Sequence, residues 1–292
     1  MNRNQWTISA QPGLSEQDLA QAQELAAEVL RVDDVALKID WEFVAEGTAP
    51  LENIFCCRAG EQIAGYALLE GSGGELEVTA AVAPAFRRQG VFKSLLGAVA
   101  EEARRRGATE MLGVSYRNSV SGTAAVQVLG LPYVSSEYSM EADAGSLPFL
   151  DAGPVTLETV PVADAAALAQ MLTATLEGKH YSVDALAARL REPNVRYFFA
   201  EAGGIRIGQI GTVETESGVY IRGVGILPEY RRRGYGRRLL SALLVRLRAE
   251  GHTRFVLDVA TENPSALSIY KACGFQETTV YDYYAISFAG RA

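Results

Sequence analysis

The sequence predicts a mixed α/β fold that is built twice. Three observations carry this expectation. The chain has 292 residues, 48% of them hydrophobic, which exceeds a typical single domain and is ample for sizeable cores. Short β-type runs alternate with helix-type runs, the order expected when helices bracket a central sheet. The chain also repeats itself. "VAPAFRRQGVFKSLL" and "ILPEYRRRGYGRRLL" align with Pro84 on Pro228, Arg87 on Arg231 and Gly90 on Gly234, each pair 144 apart in the numbering. Upstream, Gly60 and Gly65 match Gly203 and Gly208 at an offset of 143, and downstream Asn118 matches Asn263 at 145. A near-constant offset over most of each half implies two copies of one domain rather than a solenoid of short units. The Gly and Pro residues of "EADAGSLPFLDAGP" interrupt the pattern. The expected domains are therefore residues 1–150 and 151–292.

Each element follows from its local pattern. In the first copy, "NIFCCRAG" reads as a strand whose adjacent Cys56 and Cys57 point to opposite faces, and "YVSSEYSM" closes the copy as another strand. In the second copy "TLETV" reads as a strand and "ADAAALAQMLTATLE" as a helix. "SVDALAARLRE" is a second helix with Ser182 as its cap. "VRYFFAEAGGIRIGQIGTVETESGVYIRGVGIL" reads as three strands joined by glycine-containing turns. Leu239, Leu240, Leu243, Leu244 and Leu247 then form the buried stripe of a helix, which Gly251 closes as Gly107 closes its counterpart. "TRFVLDVA" is a strand, "NPSALSIYKACG" a helix and "YDYYAISF" a final strand.

Composition narrows the function. There are 27 Lys+Arg against 35 Asp+Glu, a net charge of -8, so no global attraction to nucleic acid or to an anionic membrane is expected. The arginine clusters at 104–106 and 231–233 lack an aromatic platform for bases. No run of about 18 apolar residues marks a membrane span, and the N-terminus has no apolar signal core. Cys56, Cys57 and Cys273 have no metal-ligand spacing and suit a reducing compartment. A cytoplasmic protein is the expectation. Only His180 and His252 are present, which excludes a multi-histidine metal site.

"RRRGYGRRLL", residues 231–240, is the most informative stretch. Amides at a helix start lack intrahelical partners, and the helix dipole adds partial positive charge there. Gly234 and Gly236 remove Cβ atoms where an anion must approach, and glycine accepts the positive φ that turns amides into a concave nest. Neither a G-x-x-x-x-G-K-[ST] loop nor a dinucleotide G-x-G-x-x-G is present. A short Arg/Gly pattern is by itself equally a solvated turn, so a second motif decides.

That motif is "NPSALSIYKACGF". Together with Arg231, Gly234 and Gly236, its Asn263, Ala266, Tyr270, Gly274 and Phe275 resemble the two signatures of the GCN5-related N-acetyltransferases. The resemblance covers nearly the whole of each half by element order, with complete motifs only in the second. It implies two tandem domains, each a mixed, mostly antiparallel sheet flanked by helices and splayed at a bulge. It implies acetyl-CoA as acetyl donor and no metal. Val224, Gly225 and Ile226 match the strand that pairs with pantetheine. The backbone of Arg232, Arg233, Gly234, Tyr235, Gly236 and Arg237 matches the pyrophosphate loop, with Asn263 also at a coenzyme-binding position.

The resemblance further implies direct transfer to a primary amine of a small molecule or peptide. Tyr270 matches the general acid beside the thioester sulfur, and Asp258 a strand position that carries a carboxylate base in some members. An aspartate, at about 3.9, is a weak base unless desolvated or linked through water. Glu214 and Glu216 are fallback bases, because Tyr220 stands where other members place one. The first copy departs from the pattern: Phe92 replaces the second small residue, Gly113 is aligned with Asp258, and Ala125 or Val126 with Tyr270. It reads as a degenerate partner that keeps Arg87 and Gly90, as in two-domain members whose C-terminal copy is catalytic. With two copies in one chain, a monomer suffices. The alternative function is a non-catalytic acyl-CoA sensor.

Overall fold

The computed structural model describes residues 6–35, 37, 39, 41–47, 51–72, 75–176, 181–215 and 218–288. Two compact units are present, residues 1–136 with 280–292 and residues 137–279.

Unit 1 contains β1 (Thr7–Gln11), α1 (Glu16–Asp33), α2 (Trp41–Glu46), β2 (Ile54–Ala59), β3 (Gln62–Ser72), β4 (Glu75–Val82), α3 (Val91–Arg105), β5 (Glu110–Tyr116), α4 (Val120–Leu129) and the start of β6 (Tyr133–Asp143). Unit 2 continues β6 and adds β7 (Val155–Thr159), α5 (Ala165–Thr175), α6 (Val183–Arg189), β8 (Val195–Ala202), β9 (Ile205–Thr215), β10 (Gly218–Ile226), α7 (Tyr235–Ala249), β11 (Arg254–Ala260), α8 (Pro264–Ala272) and the start of β12 (Gln276–Ser287).

In unit 1 the strand order is β1-β2-β3-β4-β5-β12, antiparallel except for the β4–β5 pair. In unit 2 it is β6-β11-β10-β9-β8-β7, antiparallel except for β10–β11. Tyr281 to Ser287 pair with β5, and Glu137 to Asp143 pair with β11. Each unit thus takes its last strand from the other sequence copy. The sequence repeat shows one alternating pattern for both strands and does not distinguish which sheet each one joins.

The sheets are covered on both faces, as the alternation requires. In unit 2 the five leucines of α7 are fully buried against Val219, Ile221, Phe255 and Leu257. On the other face Leu168 and Leu172 of α5 and Leu186 of α6 pack on Tyr197 and Phe199. Truncating one such leucine to alanine costs about 2–5 kcal/mol. Ser182 caps α6 by accepting from the Ala185 amide at 3.3 Å. In unit 1 Cys56 and Cys57 are buried in separate cores on the two faces of β2, and Cys273 is buried in unit 2. Burial raises the thiol pKa of all three, which leaves them poor nucleophiles.

Candidate active site

The site in unit 2 begins where two strands part. β10 and β11 pair in parallel at Val219–Phe255 and Tyr220–Val256. On its other side β10 slips register against β9 between Arg222 and Gly225. One extra residue sits in β10 there, a β-bulge, with Gly223 at φ 58°. A buried polar pair fastens it: Gln209, with no solvent exposure, donates from Nε2 to Thr175 Oγ1 at 2.7 Å and to the Gly223 carbonyl at 3.1 Å. Gly225 lies directly against that pair. A Cβ there would fall 2.4 Å from Gln209 Nε2 and 2.4 Å from Thr175 Oγ1. Sequence reasoning placed Val224, Gly225 and Ile226 on this strand but missed Gln209 and Thr175. Their signal was a glutamine inside the otherwise apolar and glycine-rich "IRIGQIGTV".

The loop that follows leads into α7. Arg232 takes a left-handed conformation at φ 63°, and Gly234 caps the helix at φ 79°. A Cβ on Gly234 would meet nothing within 4 Å, so the space beside this helix cap is open. Gly236 differs: a Cβ there would lie 3.2 Å from Ile269 of α8, so this glycine also lets two helices approach. Arg233 stacks on Tyr230, whose ring meets Tyr235 edge-on. Arg231 turns inward, donating from Nε to the Ile226 carbonyl at 2.9 Å and from Nη2 to the Thr175 carbonyl at 3.0 Å. The first arginine of the motif is therefore a fastener between the bulged strand and α5, and the charge at the loop comes from its neighbours. The broken ladder, the open left-handed glycine and the helix amides fit a strand-like pantetheine with a pyrophosphate.

Tyr270 of α8 is buried, 8% exposed, with its ring edge against Phe275. Burial, then the neighbouring Cys273, pushes its phenol up to about 12. Asn263 accepts from the Ala266 amide and from Ser265 Oγ, each at 3.0 Å, and so sets the first turn of α8. Asp258 and Tyr220 share the sheet face opposite α7, since each alternates with residues buried in the α7 core. The structure brings them together: Tyr220 donates its hydroxyl hydrogen to Asp258 Oδ2 at 3.0 Å. Glu214 does not join them. It pairs across the ladder with Val219, on the α7 face, and forms an ion pair with Arg196 at 2.9 Å, with His252 Nε2 3.8 Å away. His252 is thus half-buried beside a carboxylate rather than solvated. Glu216 and His180 lie outside the described residues.

Unit 1 repeats the frame without the bulge. β3 and β4 pair in unbroken register from Gly65–Val82 to Ser72–Glu75, while β4 and β5 part after Val78–Gly113. Arg87 repeats the fastener, bonding the Val82 carbonyl at 3.1 Å and clasping Asp33 at 2.9 and 2.6 Å. Arg88 and Gly90 repeat the left-handed turns at φ 61° and 92°. The ladder registers correct the alignment. Val114, not Gly113, occupies the place of Asp258, and Glu77 that of Tyr220. Ser119 caps α4 as Asn263 caps α8, which sets Val126 at the place of Tyr270 and Ala125 at that of Ile269.

The arginine cluster at 104–106 is occupied by protein partners. Arg105 bonds Glu52 at 3.0 Å and also pairs with Glu102, Arg106 bonds Glu102 at 2.7 Å, and Arg104 lies over the Phe288 ring. Among the described residues no helix is long and apolar enough to cross a membrane, and no cluster of three His, Cys, Asp or Glu side chains could hold a metal.

Known proteins share this frame. The family model described as Acetyltransferase (GNAT) family matches residues 18–122 and 166–275. A mycothiol acetyltransferase from Cellulomonas flavigena is 26% identical over 96% of this chain and 82% of its own. The N-alpha-acetyltransferase RimI of Mycobacterium tuberculosis is 33% identical over 48% of this chain and 90% of its own. A GCN5-related N-acetyltransferase from Sphaerobacter thermophilus superposes with a TM-score of 0.79 at 18% identity, covering 98% of this chain and 97% of that one. A tandem GNAT protein from the clavulanic acid biosynthesis pathway gives 0.71 at 16% identity, covering 98% and 99%. The two matched segments repeat the two sequence copies, and the chain belongs to the GNAT family of acetyltransferases, with one copy of the family fold in each half.

Proposed function

We propose that residues 151–292 transfer an acetyl group from acetyl-CoA to the primary amine of a small molecule or peptide, and that residues 1–150 take no part in the chemistry. The observation that carries this reading is the broken β10 register beside the open N-terminus of α7. Unit 2 combines that opening with Tyr270, Tyr220 and Asp258, whereas unit 1 has Val126 and Val114 at the places of the first and last.

When bound, acetyl-CoA supplies an acyl group activated as a thioester. Val224, Gly225 and Ile226 lie beyond the last β10–β11 pair and would present their strand edge on that side to pantetheine, and the amides from Arg232 to Arg237 would hold the pyrophosphate. Asn263 fixes the start of α8 and with it the placement of Tyr270. Asp258 attracts the acceptor ammonium and takes its proton, directly or through water, with Tyr220 orienting the carboxylate by its 3.0 Å hydrogen bond. Tyr270 donates a hydrogen bond to the departing sulfur, and the second proton, shed by the amine nitrogen after attack, passes to the thiolate or to water. Burial holds the Tyr270 phenol well above the range of a thiol, about 8.5, so complete proton transfer from Tyr270 to the departing sulfur is uphill. Hydrogen-bond donation, which stabilises the thiolate as it forms, is therefore its role.

Relatives named a mycothiol acetyltransferase and an N-alpha-acetyltransferase support acceptors of both kinds, a small molecule and an alpha-amine. A panel of small amines and N-terminal peptides, followed by free-thiol release from acetyl-CoA, tests the reading. At least one amine should raise release well above the rate without acceptor; none doing so would count against transfer.

A further inference from the structure

Two opposite charges of unit 2 stand where β10 and β11 part, and they do not pair. The strands are in parallel register at Val219–Phe255 and Tyr220–Val256. Carried on by two residues, that register sets Arg222 opposite Asp258. Both side chains lie on the sheet face opposite α7. Arg222 pairs across its other ladder with Gly211, whose Cβ would fall 2.6 Å from the Tyr197 ring beneath α5, and Asp258 alternates with the buried Leu257 and Val259. Where strands stay paired, such neighbours are about 5 Å apart, within reach of an ion pair. Here the pairing has ended, and Arg222 is exposed with no ion-pair or hydrogen-bond partner among the described residues. Arg254, on the same face, is by contrast held by Glu141 through hydrogen bonds of 2.6 and 3.1 Å.

We propose that the acceptor is an amine carrying its own carboxylate, an amino acid in chemical class, with the carboxylate on Arg222 and the ammonium on Asp258; this rests on the transfer proposed above. A zwitterion gives each of the two protein charges the partner that the other strand withholds. The planar guanidinium fork matches a carboxylate bidentately. A doubly charged phosphate is less suited, because Asp258, Glu141 and Asp143 share this face and repel the second charge. The amine of a peptide N-terminus has its neighbouring carboxyl tied up in an uncharged amide, so it leaves Arg222 unmatched.

Unit 1 has neither charge. Its ladders put the buried Thr79 at the place of Arg222 and Val114 at that of Asp258. The two charges therefore accompany the half proposed to carry the chemistry, and neither is required by the fold that both halves share.

The full-length protein is assayed for thiol release from acetyl-CoA with two matched pairs of acceptors, glycine with glycinamide and 4-aminobutanoate with 4-aminobutanamide. The wild type is compared with Arg222→Gln, Arg222→Lys and Arg222→Glu; the position is exposed, so the variants should fold, which thermal melts verify. A hydrogen bond between charged groups is worth about tenfold to a hundredfold. In at least one pair the ratio of kcat/KM for the acid to that for the amide should fall by this factor in Arg222→Gln, fall less in Arg222→Lys and fall furthest in Arg222→Glu. Differences in amine basicity within a pair cancel when variants are compared. Calorimetry with coenzyme A present reads the same preference without turnover, and the acid should bind Arg222→Glu at least about tenfold more weakly than the wild type. Transfer with an acid-to-amide ratio that does not move in Arg222→Gln or Arg222→Glu overturns the inference and leaves the proposed transfer standing. Arg222-dependent binding of the acid, without thiol release for any acceptor, overturns the proposed transfer and keeps the carboxylate site. Neither binding nor release with either acid overturns the inference.

Discussion

Tyr220 and Asp258 stand on adjacent parallel strands and are joined by a 3.0 Å hydrogen bond from the phenol to the carboxylate. The bond lies on the sheet face opposite α7, next to the opening created by the β10 bulge. In the proposed reaction Tyr220 is a positioning residue and Asp258 the group that meets the amine.

Tyr220→Phe removes the donor while keeping the ring. Hydrogen bonds to charged groups contribute about 1.5–3 kcal/mol, so kcat/KM for the acceptor should fall about tenfold to a hundredfold. The KM for acetyl-CoA should hold steady, because Tyr220 is not part of the cradle. Asp258→Asn should lose more than Tyr220→Phe. Initial rates with each substrate varied in turn separate these effects, and an unchanged acceptor kcat/KM in both variants would remove the pair from the reaction.

Gly225→Ala should damage both fold and coenzyme binding, because its methyl would lie 2.4 Å from two buried polar atoms. Overpacking of this kind costs about 1–3 kcal/mol. Thermal melts should show the loss in stability, and calorimetry should show weaker acetyl-CoA binding. A variant with wild-type melting and affinity would mean that the bulge adjusts freely.

Burial raises the Tyr270 phenol from its ordinary value of about 10 to about 12. The folded state therefore holds this proton more tightly than the unfolded state. The associated stability is present below about pH 10 and is lost as pH rises towards about 12. Tyr270→Phe should flatten that part of the stability profile. The variant should also lower kcat about a hundredfold, as loss of one aimed donor does. In the wild type, no alkaline fall in rate below about pH 10 should depend on Tyr270. A fall that disappears in the phenylalanine variant would show that its phenol titrates earlier.

Much of this arrangement was legible in the sequence because it rests on local chemistry. The leucine stripe of α7 is set by helical period, the Ser182 cap by one hydroxyl, and the left-handed Gly234 by the lack of a Cβ. What was not legible depends on partners distant in the chain. Gln209 and Thr175 are 34 residues apart, and neither type announces that it will pin a bulge. The inward turn of Arg231 could not be told from an arginine facing a phosphate until its carbonyl partners were seen. Glu214 and Glu216 alternate with their neighbours in sequence, but only the pairing with Val219 shows which face Glu214 takes. A one-residue uncertainty in alignment was enough to exchange Gly113 for Val114, since a single slip moves a side chain to the other face.

The most direct test compares damage to the two cradles in one assay. Gly234 and Gly90 occupy matching left-handed caps at φ 79° and 92°, and a Cβ on either meets nothing within 4 Å. Valine at either position therefore imposes similar backbone strain, and each variant controls for the other. With folding verified by thermal melts, thiol release from acetyl-CoA is measured with the best acceptor amine. Gly234→Val should abolish acceptor-dependent release, and Gly90→Val should retain it. A folded Gly90→Val protein that has lost transfer, beside an active Gly234→Val protein, would place the chemistry in the other copy.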